Sequence, residues 1–215
     1  MDYKNFKQRV FDATINLYHV DLIRLSAGNV SSRIDNELIA ITPSRRSYDI
    51  MKPEDISIVS ISDQKMVEGQ YKPSSETPLH TAIYREMPEV GGVVHTHSIY
   101  SITFAASEKP LPIISVEGLA ANCKGCVPVA RYVSPGSPFA GEVAMEVFRA
   151  HPGLKALLLR NHGLLTIGPD VESAWQTAYK IETAAQIALQ AYSLGNIVEI
   201  SSDQFDEIYS IYAAK

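Results

Sequence analysis

The chain has 215 residues, 46% of them hydrophobic and 20% charged, with a formal net charge of −5. That balance reads as one globular domain spanning 1–215, and its acidity argues against a general nucleic-acid or membrane-surface binder. Two cysteines give no disulfide framework, no apolar run reaches a membrane span, and MDYKNFKQRVFDA lacks a secretory core, so a cytoplasmic location is expected.

Residues 3–19 place Phe6, Val10, Ala13 and Leu17 on one helical stripe, with Asp2 as its cap. SAGN (26–29) is a glycine loop, and VSSRI and ELIAIT flank Asp35-Asn36 as a hairpin. TPSRRS (42–47) is a second loop, DISIVSI (55–61) a strand and SDQK a turn. PSSETPLHTAIYREM (73–87) opens as a loop and becomes a helix, with Ser74 or Ser75 as cap and Pro78 in the first turn. GGVVHTHS (91–98) is a β-branched run, and LPIISV and CVPVARYV read as further strands. PFAGEVAMEVFRA is an amphipathic helix, LKALLLRN a buried strand, and HGLLTIG its continuation after a turn. The clearest helix runs over 170–195: Asp170 caps it, a stripe from Val171 to Tyr192 lines one side, and Gly195 stops it. Short strands succeed one another without intervening helices, which predicts a central, largely antiparallel sheet with helices packed on it.

His95 and His97 stand two apart in the β-branched run. On a strand, i and i+2 share a face, so the pair suits either a metal or an ordinary hydrogen-bonded strand end. A catalytic zinc needs a third ligand, and His162, after a buried strand and before Gly163, which would free the backbone, is the best of the remaining histidines. His19 falls at a helix end and His151 in a loop. His80 follows Glu76 by four residues on one helical face and reads as a helix residue that packs against or orients its neighbours. Cys123 and Cys126 leave open a closed Cys2His2 site with the pair, although cysteines beside a glycine turn are the plainer reading. The deaminase pattern fails, because His97 occupies the place of its glutamate and Asn122 that of its proline. The hydroxyl-rich loops SAGNVSS, TPSRRS and PSSE suit an anion such as phosphate, with Arg45 as a charged donor. Glu76 is either a helix-dipole partner or a general acid/base beside a metal.

Taken in order, GNVSSR, ITPS, PSSETPLH, VVHTHS and RNHGLL resemble the class II aldolase/adducin superfamily from about Phe6 to Gly195, and within it most closely the L-fuculose-1-phosphate aldolases. The resemblance implies a three-layer α/β/α fold with a mainly antiparallel central sheet, and a C4 homotetramer with active sites at subunit interfaces. It implies a zinc, or another divalent metal such as Mn2+ or Co2+, held by His95, His97 and His162, with Glu76 as catalytic carboxylate. Its phosphate-binding positions match Gly28, Asn29, Ser44, Ser74 and Ser75. Arg45 replaces the family's phosphate-binding glycine, so the anion is met either by the guanidinium or in altered geometry, and a carboxylate becomes an alternative ligand. The aldolase's catalytic tyrosine is missing from IISVEGLA, where Glu117 is a second acid/base candidate. The C-terminal tail is shorter than the aldolase's, and Tyr209 and Tyr212 are candidates to replace its mobile tyrosine, with packing on a helix face as the plainer reading.

The activity implied is reversible retro-aldol cleavage of a small ketose 1-phosphate to dihydroxyacetone phosphate and an aldehyde. L-ribulose-5-phosphate 4-epimerase, which usually has aspartate in place of Glu76, methylthioribulose-1-phosphate dehydratase and a sugar-acid phosphate decarboxylase are the alternatives within the same chemistry. The adducin scaffold branch loses the three metal histidines that this chain keeps.

Overall fold

The structure is a computed structural model and describes residues 2–213. Ten strands and six helices run in the order α1 (Lys4–His19), β1 (Asn29–Arg33), β2 (Leu38–Ile41), β3 (Ser57–Ser60), β4 (Met66–Glu68), α2 (Thr77–Glu86), β5 (Gly92–Thr96) and α3 (Ile99–Ser107), then β6 (Leu111–Pro112), β7 (Cys126–Val127), β8 (Val129–Ala130), α4 (Ala140–Ala150), β9 (Ala156–Leu159), β10 (Gly163–Gly168), α5 (Val171–Leu194) and α6 (Ser202–Ala213). Eight strands form one sheet in the order β4-β3-β2-β1-β5-β10-β9-β8; only β8 and β9 pair parallel.

Strand alternation builds a core on each face. Val30, Ala40, Ile58, Val94, Leu158 and Leu164 point to the layer of α1, α3 and α5, where Val10, Leu17, Phe104, Ala178 and Ile181 are buried with them. Ile39, Ile41, Val59, Val93, Leu157 and Leu165 point to the layer of α2 and α4, against Leu79, Ile83, Val143 and Phe148. The result is a three-layer α/β/α sandwich, as the family resemblance implied, around the largely antiparallel sheet that the strand pattern predicted.

Several boundaries differ from the sequence reading. The stretch IYSITFAAS after the histidine pair folds as α3; its first amides, Tyr100 and Ser101, donate to the Glu182 carboxylate of α5 at 2.8 Å. That contact, more than 80 residues away in the chain, supplies the helix start that local residues lack. Only Leu111–Pro112 of LPIISV pairs, and residues 116–121 turn as a 3-10 segment. CVPVARYV splits at Pro128, which has no N–H for a ladder, and its halves join different sheets. Tyr3, not Asp2, takes the cap position of α1 and makes no side-chain cap bond, although the Asp2 carboxylate accepts from Lys4 N at 3.1 Å from one residue upstream. Asp170 caps α5 by accepting from Ser173 N at 2.7 Å, and Gly195 ends it at φ 118°. Neither serine caps α2 from the residue before its first turn: that place is taken by Glu76, while Ser74 Oγ accepts from Glu76 N one step upstream.

Candidate metal centre and anion cavity

Three neighbouring strands, β1, β5 and β10, end at the same edge of the sheet, and the site is built there. Asn29, the first residue of β1, is in register with His95 near the end of β5, and His95 is in register with Leu165 of β10. His97 follows β5 by one residue, and His162 sits in the tight turn between β9 and β10. Asn161 takes the left-handed conformation in that turn, φ 57°, so the freedom expected of Gly163 is not what the turn uses. Gly163 supplies space instead. A Cβ there would stand 2.2 Å from the Thr96 carbonyl oxygen and 2.9 Å from His95 Cε1.

The four predicted groups converge. Ligand atoms of Glu76, His95, His97 and His162 all lie within 4.8 Å of one another. His95 Nε2 is 3.0 Å from His97 Nε2, 3.2 Å from His162 Nε2 and 3.2 Å from Glu76 Oε2. His95 donates through Nδ1 to the Leu164 carbonyl at 3.0 Å, which leaves Nε2 as a bare lone pair facing the cluster. Burial pushes the His95 imidazole down to about 3 and also lowers His97 and His162, so all three are neutral at neutral pH. Burial by itself would raise the Glu76 carboxyl; His95 and His162, which carry charge only at the low pH where Glu76 itself titrates, and the Asn29 hydrogen bond override it and hold the group at about 2, so that it is ionised at neutral pH. Glu76 Oε1 is buried without a hydrogen-bond partner.

Lone pairs and one negative charge packed this closely repel unless a cation sits among them. Tetrahedral zinc with bonds of ~2.0–2.1 Å puts its nitrogens roughly 3.3 Å apart, close to the separations here. The residues therefore fit a divalent metal. Among the described residues this is where metal-capable side chains cluster. Cys123 and Cys126 do not join it: they are free thiols, and Cys123 Sγ donates to the Cys126 carbonyl at 2.7 Å.

A cavity of about 250 Å³ opens beside the cluster, lined by Gly28, Asn29, Ser44, Arg45, Ser74 and Ser75 together with Glu76, His97 and His162. Every predicted phosphate residue is there. Two of the loops are tied together: Pro43 bridges Pro73, Ser44 N donates to Lys72 O at 2.8 Å, and Ser74 N donates to Thr42 O at 3.0 Å. Gly28 has φ 88°, and a Cβ there would meet His95 O at 2.8 Å, so the loop lies directly on the histidine strand. Tyr48, which the sequence reading did not single out, holds this loop by donating from its hydroxyl to Gly28 O at 2.7 Å. Arg45 has φ 57°, a left-handed backbone conformation natural to glycine. Its side chain is exposed at the cavity, whereas Arg46 turns away to Asp55 at 3.0 Å.

Glu117 lies outside this cavity. It lines a separate one of about 710 Å³ with Lys155, Tyr179 and Tyr209. Tyr209 stacks on Phe205 within α6 at 5.7 Å, and the side chain of Tyr212 lies outside the described residues.

A family profile described as Class II Aldolase and Adducin N-terminal domain matches residues 8–189. The chain belongs to the class II aldolase/adducin family. It is 34% identical over 195 residues to the L-ribulose-5-phosphate 4-epimerase UlaF of Salmonella paratyphi B, covering 86% of this chain and 84% of that one. In structure it resembles an L-fuculose 1-phosphate aldolase with a TM-score of 0.90 and 27% identity, over 99% of this chain and 98% of that one. It also resembles a sugar-phosphate aldolase from Thermotoga maritima, TM-score 0.77 and 25% identity, over 89% and 97%. The family is enzymatic in these members, and this chain keeps a metal-capable His3Glu cluster. No helix among the described residues is long and apolar enough to cross a membrane.

Proposed function

We propose that the protein is a divalent-metal-dependent aldolase, zinc being the expected ion, that cleaves a small ketose 1-phosphate reversibly to dihydroxyacetone phosphate and an aldehyde. The observation that carries this reading is Glu76. A glutamate, where the family's epimerases usually have aspartate, lies in the ligand cluster with one oxygen tethered and Oε1 unpartnered. His95, His97 and His162 would hold the metal, which supplies Lewis-acid polarisation of the substrate's oxygens.

The chain's own residues do the rest. Ser44, Ser74, Ser75, the Gly28–Asn29 loop and Arg45 take the phosphate, with the hydroxyls and guanidinium as donors. Anchoring the phosphate at the cavity rim aims the carbon chain at the cluster beneath. Cleavage breaks one carbon–carbon bond: the hydroxyl on the leaving fragment gives its proton to the ionised Glu76 carboxylate, its oxygen becomes the aldehyde carbonyl, and the bonding pair stays on the carbon next to the ketone. Glu76 Oε1 then returns that proton to that carbon, and in the synthetic direction removes it and passes it back to the aldehyde oxygen. We further propose that the protein is a cytoplasmic homotetramer, the assembly implied by the family. Glu117, remote from the cavity of its own chain, would then act only if a neighbouring copy brought it there.

A second reading, sugar-phosphate 4-epimerisation, is favoured by the 34% identity to UlaF. Product analysis of the zinc-loaded protein against a panel of ketose phosphates separates the two. Release of dihydroxyacetone phosphate supports the aldolase and an epimer selects the second reading. No bound metal and no metal-dependent turnover refutes the enzyme.

A further inference from the structure

Behind the metal cluster, α2 and β1 are joined by a buried zigzag of hydrogen bonds. Glu76 at the N-cap of α2 and His80 and Tyr84 within it stand four apart, and Asn29 and Ser31 stand two apart on β1. Four helical residues rise about 6.0 Å and two strand residues about 6.6 Å, so the two rows mesh like teeth. Tyr84 Oη lies 2.9 Å from Ser31 Oγ, Ser31 Oγ 2.6 Å from His80 Nδ1, His80 Nε2 2.5 Å from Asn29 Oδ1, and Asn29 Nδ2 2.7 Å from Glu76 Oε2. None of the five residues is more than 6% exposed.

The direction of every bond follows from its end. An ionised carboxylate only accepts, so Asn29 presents its amide N–H to Glu76 and its carbonyl to His80. His80 then donates from Nε2 and accepts at Nδ1, which requires the Ser31 hydroxyl to donate, leaving its oxygen to accept from Tyr84. We infer that His80, with Ser31 and Tyr84 behind it, is a positioning residue for the reaction: it locks the Asn29 amide so that Glu76 Oε2 is tethered and Oε1 alone is left to move the proton. This rests on the reading of Glu76 as the acid/base. Without the His80 N–H, Asn29 is free to turn its carbonyl toward the carboxylate, which repels Glu76 from its place. Burial keeps His80 neutral, its imidazole lowered to about 4, so the ring serves as a fixed donor and acceptor.

The test compares His80→Leu, His80→Gln and Glu76→Gln in the full, zinc-loaded chain. Glutamine carries a donor and an acceptor spaced like the two imidazole nitrogens, whereas leucine carries neither. His80→Leu is expected to lower kcat about 10–100-fold, the usual range for an outer partner of a metal site, with KM and zinc content unchanged; His80→Gln is expected to recover most of that loss. Equal losses in both variants, or full activity in the leucine variant while Glu76→Gln is inactive, overturns the inference alone. Full activity in Glu76→Gln overturns the reading of Glu76. Independently of turnover, nitrogen-15 NMR of histidine-labelled protein, with the His80 signal assigned by its loss in His80→Gln, is expected to show the Nε2–H tautomer. An Nδ1–H tautomer overturns the chain even if the leucine variant fails to fold.

Discussion

Gly163 and His95 are packed so that no side-chain atom fits between them: a Cβ on Gly163 would stand 2.9 Å from His95 Cε1 and 2.2 Å from the Thr96 carbonyl oxygen. The ring can tilt, but the carbonyl belongs to a strand in register on both sides. Gly163→Ala is therefore expected to destabilise the fold by about 1–3 kcal/mol. It should also weaken metal binding at least about tenfold, because His95 is the proposed ligand whose Nε2 lies against all three other groups of the cluster. Metal titration and thermal unfolding of the variant check both. Wild-type affinity would show that His95 repacks without cost.

His162 is the proposed ligand supplied by a turn, and its side chain is only 8% exposed. His162→Ala should remove metal and activity together, by more than the roughly 10–100-fold expected for an outer-shell partner. The fold should persist, since Asn161 sets the turn and β9 and β10 still pair. Metal content by elemental analysis and circular dichroism on one preparation measure this. Full activity in that variant would refute its role as a ligand.

The order of short β-branched runs made the layered sheet legible, and ordered motifs made the three histidines, Glu76 and the anion loops legible. What failed locally depended on distant partners. Nothing in IYSITFAAS announces a helix, because Glu182 holds its first turn. His80 read as an orienting helix residue, but Ser31 and Tyr84 became its partners only once β1 had paired with β5 and packed under α2. The conformation of Arg45 was likewise hidden: an arginine gives no sign that its backbone is left-handed.

Burial also sets an acid limit on stability. His80 and His95 are fully buried, and desolvation lowers them to about 4 and about 3. In the unfolded chain both would titrate near the ordinary value of about 6.5. Between those limits the unfolded state binds more protons, so stability is full above about pH 6.5 and is lost as the pH falls toward 4 and then 3. By pH 5 each histidine accounts for a loss on the order of 2 kcal/mol. Urea unfolding of the metal-free protein should show a clearly lower midpoint at pH 5 than at pH 7, with a shallower dependence in His80→Gln. Equal midpoints at the two pH values would show that neither histidine is held neutral by the fold.

Arg45 separates two ways of holding an anion. Its backbone already has a glycine-like conformation, φ 57°, so Arg45→Gly suits that conformation and removes the whole side chain, guanidinium included, while Arg45→Ala removes the guanidinium and keeps a Cβ in a left-handed position. The guanidinium is exposed at the cavity and makes no ion pair among the described residues, so it is free to meet a phosphate. Charged hydrogen bonds are worth roughly 1.5–3 kcal/mol, which predicts that both variants raise KM about 10- to 100-fold with kcat little changed. The glycine variant should be the more stable of the two, by up to about 1 kcal/mol. Calorimetric titration with inorganic phosphate reads the same contact without turnover. Undiminished phosphate affinity in Arg45→Gly would assign the anion to the loop backbone and the serine hydroxyls instead.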